Sequence, residues 1–191
     1  MNKKTLIVSA ILIVILIIII LVYFLILKPS AIDNGSGIPK KIIENKFFSV
    51  KLPEGWIEVE PVYGSIATVV KNQELINDTY AQKLNFRSYY SVLRDTVGDK
   101  TEQEYLEEIK NSLKKNFTDI MISDEEIKES NGAKIYFMES KLNEQNVDFT
   151  ILLAVNIKDQ DVWTISFNTL SEKWEEYKDI FYQIADSFER K

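Results

Sequence analysis

The chain contains no cysteine and no histidine. Their absence excludes a disulfide framework, a Cys/His zinc site, Ser-His or Cys-His nucleophilic machinery and c-type haem attachment. Only six glycines and four prolines occur among 191 residues, too few for low-complexity or collagen-like sequence. There is no glycine-rich phosphate loop, heptad array or internal repeat. Basic charge is short as well: 23 Lys and Arg stand against 29 Asp and Glu, a net charge of -6. That balance argues against a nucleic-acid partner, which needs a basic footprint. An enzyme built from this composition would have to work with carboxylates, Ser, Lys or Tyr, and no cofactor is expected.

What is present begins with an apolar run. Thr5 to Leu27 holds 23 residues without a charge, about 34 Å of helix at 1.5 Å per residue, enough to cross a hydrocarbon core of about 30 Å. Leu6, Ile11, Ile17, Leu21 and Leu27 are expected to face lipid as a membrane anchor. Lys3, Lys4 and Lys28 bracket the run, where their ammonium groups reach the interfaces. A cleaved signal peptide has a shorter apolar core, of about 7 to 15 residues, and ends at a small-x-small site; Lys28-Pro29-Ser30-Ala31 is a poor one. Residues 1–28 are therefore read as an uncleaved single-pass anchor in the cytoplasmic membrane, with the remainder on the outer side. Residues 29–41, with Pro29, Gly35, Gly37 and Pro39, read as a flexible tether. Without Lys3, Lys4 and Lys28, the chain from residue 29 keeps 20 basic and all 29 acidic groups, about -9.

Residues 42–191 are expected to fold as one domain, a length that closes a substantial core. Phe48 to Leu52 and Trp56 to Glu60 alternate as strands around a Pro53-Glu54-Gly55 turn. Ile66 to Val70 and Leu84 to Leu93 are further strand candidates, with a loop or short helix over Asn72 to Gln82. Thr101-Glu102-Gln103-Glu104 is a capping box opening a helix to about Asn116, with Tyr105, Leu106, Ile109 and Leu113 on one face. Four strand runs follow as an antiparallel meander: Ile120 to Lys128, Ala133 to Leu142, Val147 to Ile157 and Val162 to Leu170. Asn131-Gly132 has the chemistry of a tight hairpin turn. Ser171 is expected to cap a closing helix from Glu172 to about Phe188, striped by Trp174, Tyr177, Phe181, Ile184 and Phe188. The fold class is α+β, a sheet with amphipathic helices against it.

The order of these elements resembles the PsbP family, known from an extrinsic subunit of photosystem II and from PsbP-like domains of non-photosynthetic microbes. The residues that carry the resemblance are Phe48-Ser49-Val50-Lys51-Leu52-Pro53-Glu54-Gly55-Trp56, Glu104-Tyr105-Leu106 in the capped helix, the meander, and Ile184-Ala185-Asp186-Ser187-Phe188. The resemblance implies an α/β/α sandwich around a central antiparallel sheet, here preceded by one transmembrane helix. Two departures set the chain apart from the photosystem subunit: an uncleaved apolar segment in place of a transit sequence, and no histidine for the metal sites attributed to that subunit. A photosynthetic role is not implied.

Few residues stand out as chemical sites. Asp159 and Asp161, flanking a turn, are the candidate Ca²⁺ ligands, although the EF-hand pattern is missing and Asp is at home in any solvated turn. Asp124-Glu125-Glu126 is a second acidic run, read as a solvated edge, and Lys114-Lys115 is too short for a lipid or nucleic-acid patch. Trp56, Trp163, Trp174, Phe167 and Phe181 fall at core spacings. Tyr89 and Tyr90 point to opposite faces of one strand, leaving one free to be exposed and interfacial. Asn34, Asn77 and Asn116 head Asn-x-Ser/Thr sequons that permit glycosylation. The expected function is a non-catalytic binding or assembly module that meets lipid through its helix and docks on another envelope or membrane protein. The competing reading is a carboxylate-dependent enzyme or a calcium-binding regulatory domain.

Overall fold

The computed structural model describes residues 42–191, apart from positions 63 and 131. The expected anchor, with Leu6, Ile11, Ile17, Leu21 and Leu27, the tether over 29–41, the sequon at Asn34 and the turn residue Asn131 all lie outside the described residues. No helix among the described residues is long and apolar enough to cross a membrane.

In chain order the elements are β1 (Ile42–Glu44), β2 (Phe48–Lys51), β3 (Trp56–Val59), β4 (Ala67–Lys71), α1 (Thr79–Lys83), β5 (Tyr89–Thr96), α2 (Glu102–Asn116), β6 (Met121–Ile122), β7 (Glu126–Ser130), β8 (Ala133–Glu144), β9 (Val147–Lys158), β10 (Asp161–Leu170), a 3₁₀ turn (Ser171–Lys173), α3 (Trp174–Asp186) and β11 (Glu189–Arg190). Eight strands form an antiparallel sheet in the order β3-β4-β5-β10-β9-β8-β6, with β7 also on β8; β1, β2 and β11 form a second, three-stranded sheet. The meander β8-β9-β10 is its long centre, and its turns are tight. Gln145 (φ 53°) and Asn146 (φ 62°) join β8 to β9, both in the left-handed region that a two-residue hairpin needs. Gly132 (φ 70°) occupies the β7–β8 turn and Asp159 (φ 55°) the β9–β10 turn.

Alternation along these strands feeds two cores. Tyr136 and Met138 of β8, Phe149 to Ile157 at every second position of β9, and Tyr89 and Leu93 of β5 pack on one face beneath Tyr105, Leu106, Ile109 and Leu113 of α2. Ile135, Phe137, Leu152, Trp163, Ile165 and Phe167 pack on the other with Trp174, Tyr177, Phe181 and Ile184 of α3. The second face is aromatic: Phe167 stacks on Phe181 at 4.8 Å, Trp56 meets Tyr177 edge-on at 5.7 Å, and Trp163 lies 5.5 Å from Phe48. Helices on both faces of a central antiparallel sheet are the layers the alternation implies. The capping box is formed, with Thr101 Oγ1 accepting from Glu104 N at 3.2 Å and Glu104 Oε2 accepting from Thr101 N at 2.8 Å.

Several elements differ from the sequence reading. The Pro53-Glu54-Gly55 turn exists, with Gly55 at φ 76°, but the strands it joins enter different sheets. Leu84 to Ser88 is not strand: Leu84 closes α1, Asn85 adopts φ 53°, and β5 begins at Tyr89. The run from Ile120 to Lys128 is split into β6 and β7, because Ser123 takes over the edge of β8, its N bonding Glu139 O (2.9 Å) and its Oγ accepting from Glu139 N (3.2 Å). Ser171 does not cap the last helix; its hydroxyl pairs with Thr150 Oγ1 at 2.9 Å, and a 3₁₀ turn leads into α3 at Trp174.

Candidate functional site

The acidic candidates are dispersed. Asp161 opens β10, and both its oxygens face N–H donors: Oδ1 accepts from Arg94 Nε at 2.8 Å and Oδ2 from Trp163 Nε1 at 2.7 Å. Asp159 sits exposed in the turn before it. Glu125 pairs with Lys110 at 2.6 Å, a contact that holds its carboxyl below the usual carboxylate range, while Asp124 and Glu126 are exposed. Among the described residues no group of three or more acidic side chains is disposed to hold a metal ion. Lys114, Lys115 and the sequon residue Asn116 are exposed on the last turn of α2, and the sequon residue Asn77 is exposed in the loop before α1.

Tyr89 and Tyr90 do point to opposite faces, but neither is exposed: each is fully buried in its own core. Tyr90 donates its hydroxyl to Lys51 O at 2.8 Å, and burial pushes both phenols up from their ordinary value. The expectation of an interfacial tyrosine fails because both faces of β5 are covered by a helix. The five core aromatics, by contrast, are all buried.

The connection between β4 and β5 is a surface loop fixed to the sheet. Its base is stapled to the sheet by Lys71 N to Ser88 O (2.8 Å) and Asn72 N to Gly55 O (2.8 Å). Glu74 then reaches inward. Its carboxylate accepts from Ser88 N at 2.5 Å and Ser88 Oγ at 2.7 Å, and Ser88 Oγ in turn meets Thr169 Oγ1 at 2.7 Å. The Tyr177 hydroxyl of α3 faces Glu74 and Glu176; burial first, then the Glu74 charge, raises that phenol far above its ordinary value. A charged acceptor with donors on fully buried neighbours fixes the loop to the core more firmly than neutral bonds do.

The rest of the loop is ordered locally. Asp78 Oδ1 caps α1 through Ala81 N at 2.7 Å, Gln82 Nε2 donates to Ile76 O at 2.7 Å, and Gln73 and Asn85 adopt positive φ of 56° and 53°. The result presents Leu75, 75% exposed, and Tyr80, 48% exposed, with the Lys83 ammonium 5.0 Å from the Tyr80 ring. Beside Leu75 runs an open cavity of about 510 Å³ whose lining includes Asn72, Glu74, Ile76, Gln82, Phe86 and Arg87. It offers amides, one guanidinium, the Glu74 carboxylate and apolar wall, and the hydroxyl bonded to that carboxylate, Ser88, is fully buried. The sequence carried a signal for it in Leu75, Ile76 and Tyr80, apolar residues inside an otherwise polar stretch.

The PsbP family model matches residues 44–190. Among solved structures, LpqN of Mycobacterium tuberculosis, described as involved in cell envelope biogenesis, is similar with a TM-score of 0.61 at 12% identity, over 85% of this chain and 90% of that one. The cyanobacterial PsbP of Synechocystis is similar with a TM-score of 0.58 at 16% identity, over 84% of this chain and 99% of that one. At these identities the likeness is one of fold. No curated protein matches the chain in sequence.

Proposed function

The chain belongs to the PsbP family across residues 44–190, and from that premise we propose that it is a non-catalytic binding or assembly module, held at the cytoplasmic membrane by residues 1–28 and docking on another envelope or membrane protein. The observation that carries this reading is the pinned loop from Asn72 to Arg87, which holds Leu75 and Tyr80 in water beside a groove. Exposed Leu and Tyr on a fixed backbone have little ordering entropy left to lose on association, which makes them efficient contact residues.

The tether shapes the energetics. Thirteen residues, 29–41, extend at most about 45 Å, so a domain on the outer side meets partners in the same bilayer at a raised effective concentration, and a modest contact area suffices. LpqN's description as a protein of cell envelope biogenesis fits the same setting, although the envelope location of this chain rests on its own apolar run. Native gel electrophoresis of mildly solubilised membranes tests the proposal. The full chain is expected to migrate within a larger complex, and Leu75→Ser with Tyr80→Ser to release it. Identical migration of the double variant would refute the assignment of this surface.

A further inference from the structure

A second site lies where the two sheets meet. β11 is only two residues long, yet its Arg190 reaches from the small sheet across the end of β9: Nη2 donates to Asn156 O at 2.8 Å and to Asn156 Oδ1, and Nη1 lies 3.5 Å from Lys158 O. These contacts fix the guanidinium plane. Its Nε is buried and donates to nothing among the described residues. An enclosed cationic N–H without an acceptor is costly unless a ligand supplies one.

A cavity of about 260 Å³ adjoins this group, lined by Ser130, Ala133, Asn156, Lys158 and Phe188 as well as Arg190, with the exposed Glu189 at its side. Lys158 is exposed and makes no ion pair among the described residues. The carboxylates nearby are already engaged or wet. Asp161 binds Arg94 and Trp163 and comes only within 3.9 Å of Arg190 Nη1, while Asp159 is exposed. Burial pushes the Arg190 guanidinium down from its ordinary value, against the opposing pull of Asp161 and Asp159 and with a smaller push from Arg94. Arg94 itself lies over the Trp163 ring at 5.1 Å and the Phe47 ring at 5.7 Å.

We propose that this corner is an oxyanion site, in which Arg190 Nε and the Lys158 ammonium receive two oxygens of a phosphate group while Phe188 and Ala133 wall its substituent. An arginine held in plane by backbone carbonyls, with one buried donor unpaired and an exposed lysine lining the same cavity, suits a tetrahedral oxyanion carrying several free oxygens. The phosphate has two possible sources, a free phosphate compound or the headgroup of an anionic lipid, and the second rests on the membrane tether of the proposed function.

The test uses the full chain, labelled with ¹⁵N-arginine, in an uncharged detergent. Inorganic phosphate is titrated at constant ionic strength against chloride while the Arg190 Nε–H resonance is followed, its assignment confirmed by its loss in Arg190→Lys. A saturable shift is expected, with the midpoint raised about tenfold in Lys158→Ala, as befits loss of a charge-assisted bond. The same resonance is then compared in phosphatidylglycerol and phosphatidylcholine nanodiscs without free phosphate. A shift confined to phosphatidylglycerol identifies a headgroup site, and no shift there beside a working titration identifies a soluble phosphate. A resonance that answers to neither source, or an unchanged midpoint in Lys158→Ala, overturns the proposal. Because the readout is local to Arg190, its failure would leave the Leu75 and Tyr80 surface untouched.

Discussion

Removal of the Glu74 carboxylate is the perturbation that separates a pinned loop from a merely surface one. Ser88 is fully buried and Tyr177 nearly so, so Glu74→Ala would leave the Ser88 N–H and hydroxyl without their shared acceptor and would take from the Tyr177 hydroxyl one of its two neighbouring carboxylates, Glu176 being the other. A hydrogen bond to a charged group contributes about 1.5–3 kcal/mol. Glu74 is itself half-buried and Ser88 Oγ keeps Thr169 as a neighbour, so the three do not add. The expected cost is about 2–4 kcal/mol, or roughly 5–15 °C in unfolding midpoint for a domain of this size. Glu74→Gln retains one acceptor oxygen and should lose about half as much. Urea unfolding of a fragment spanning residues 42–191, paired with hydrogen exchange of the amides from 72 to 87, reads both consequences. Those amides should lose protection in Glu74→Ala while β8 and β9 keep theirs. A loss under about 1 kcal/mol, with loop protection unchanged, would refute the reasoning.

Other outcomes follow from the same structure. The fragment 42–191 should be monomeric and fold cooperatively without metal or reductant, as sedimentation and coincident fluorescence and circular-dichroism transitions would show. Trp163→Ala empties a site packed by Phe48 and Phe188 and should cost on the order of 3–5 kcal/mol; a small change in urea midpoint would contradict its place in the core. With no histidine, stability should be flat from about pH 6 to 9. Below that, Glu102, lowered chiefly by its bond from Tyr136, and Glu125, lowered by Lys110, contribute stability that is present above the unfolded carboxylate pKa and lost as pH falls through their folded values. At the alkaline end Tyr136, raised to about 12 mainly by burial, contributes stability that is complete below its unfolded pKa of about 10 and lost as pH rises toward 12. A midpoint that varies strongly between pH 6 and 9 would point to a titrating group the structure does not contain.

The two-faced sheet was legible because β9 and β10 alternate over ten residues or more, and side chains of opposite parity must enter opposite cores. The capping box at Thr101 was legible because its chemistry is local. What escaped depends on partners distant in sequence. β1 and β11 are three and two residues long, too short for a period to register, and they form only because each finds β2. Ser171 has the composition of a cap, but Thr150, 21 residues away, takes its hydroxyl. One of Tyr89 and Tyr90 is expected to be free to face water because coverage by α2 and α3 cannot be inferred from one strand. The candidate site divides in the same way. Leu75 and Tyr80 are visible as apolar residues in a polar loop, whereas the latch from Glu74 to Ser88 and the reach of Arg190 to Asn156 join residues that only the fold brings together.

The central claim, a membrane-held module that docks through the loop between β4 and β5, is tested most directly by photo-crosslinking in intact cells. A photoreactive residue replaces Leu75 in the full chain and, as a control, the exposed Lys115 on α2. The account requires one discrete adduct from position 75, none from position 115, and loss of the adduct when residues 1–28 are deleted or Glu74 is replaced by Ala. No adduct from position 75, or equal labelling from both positions, would contradict it.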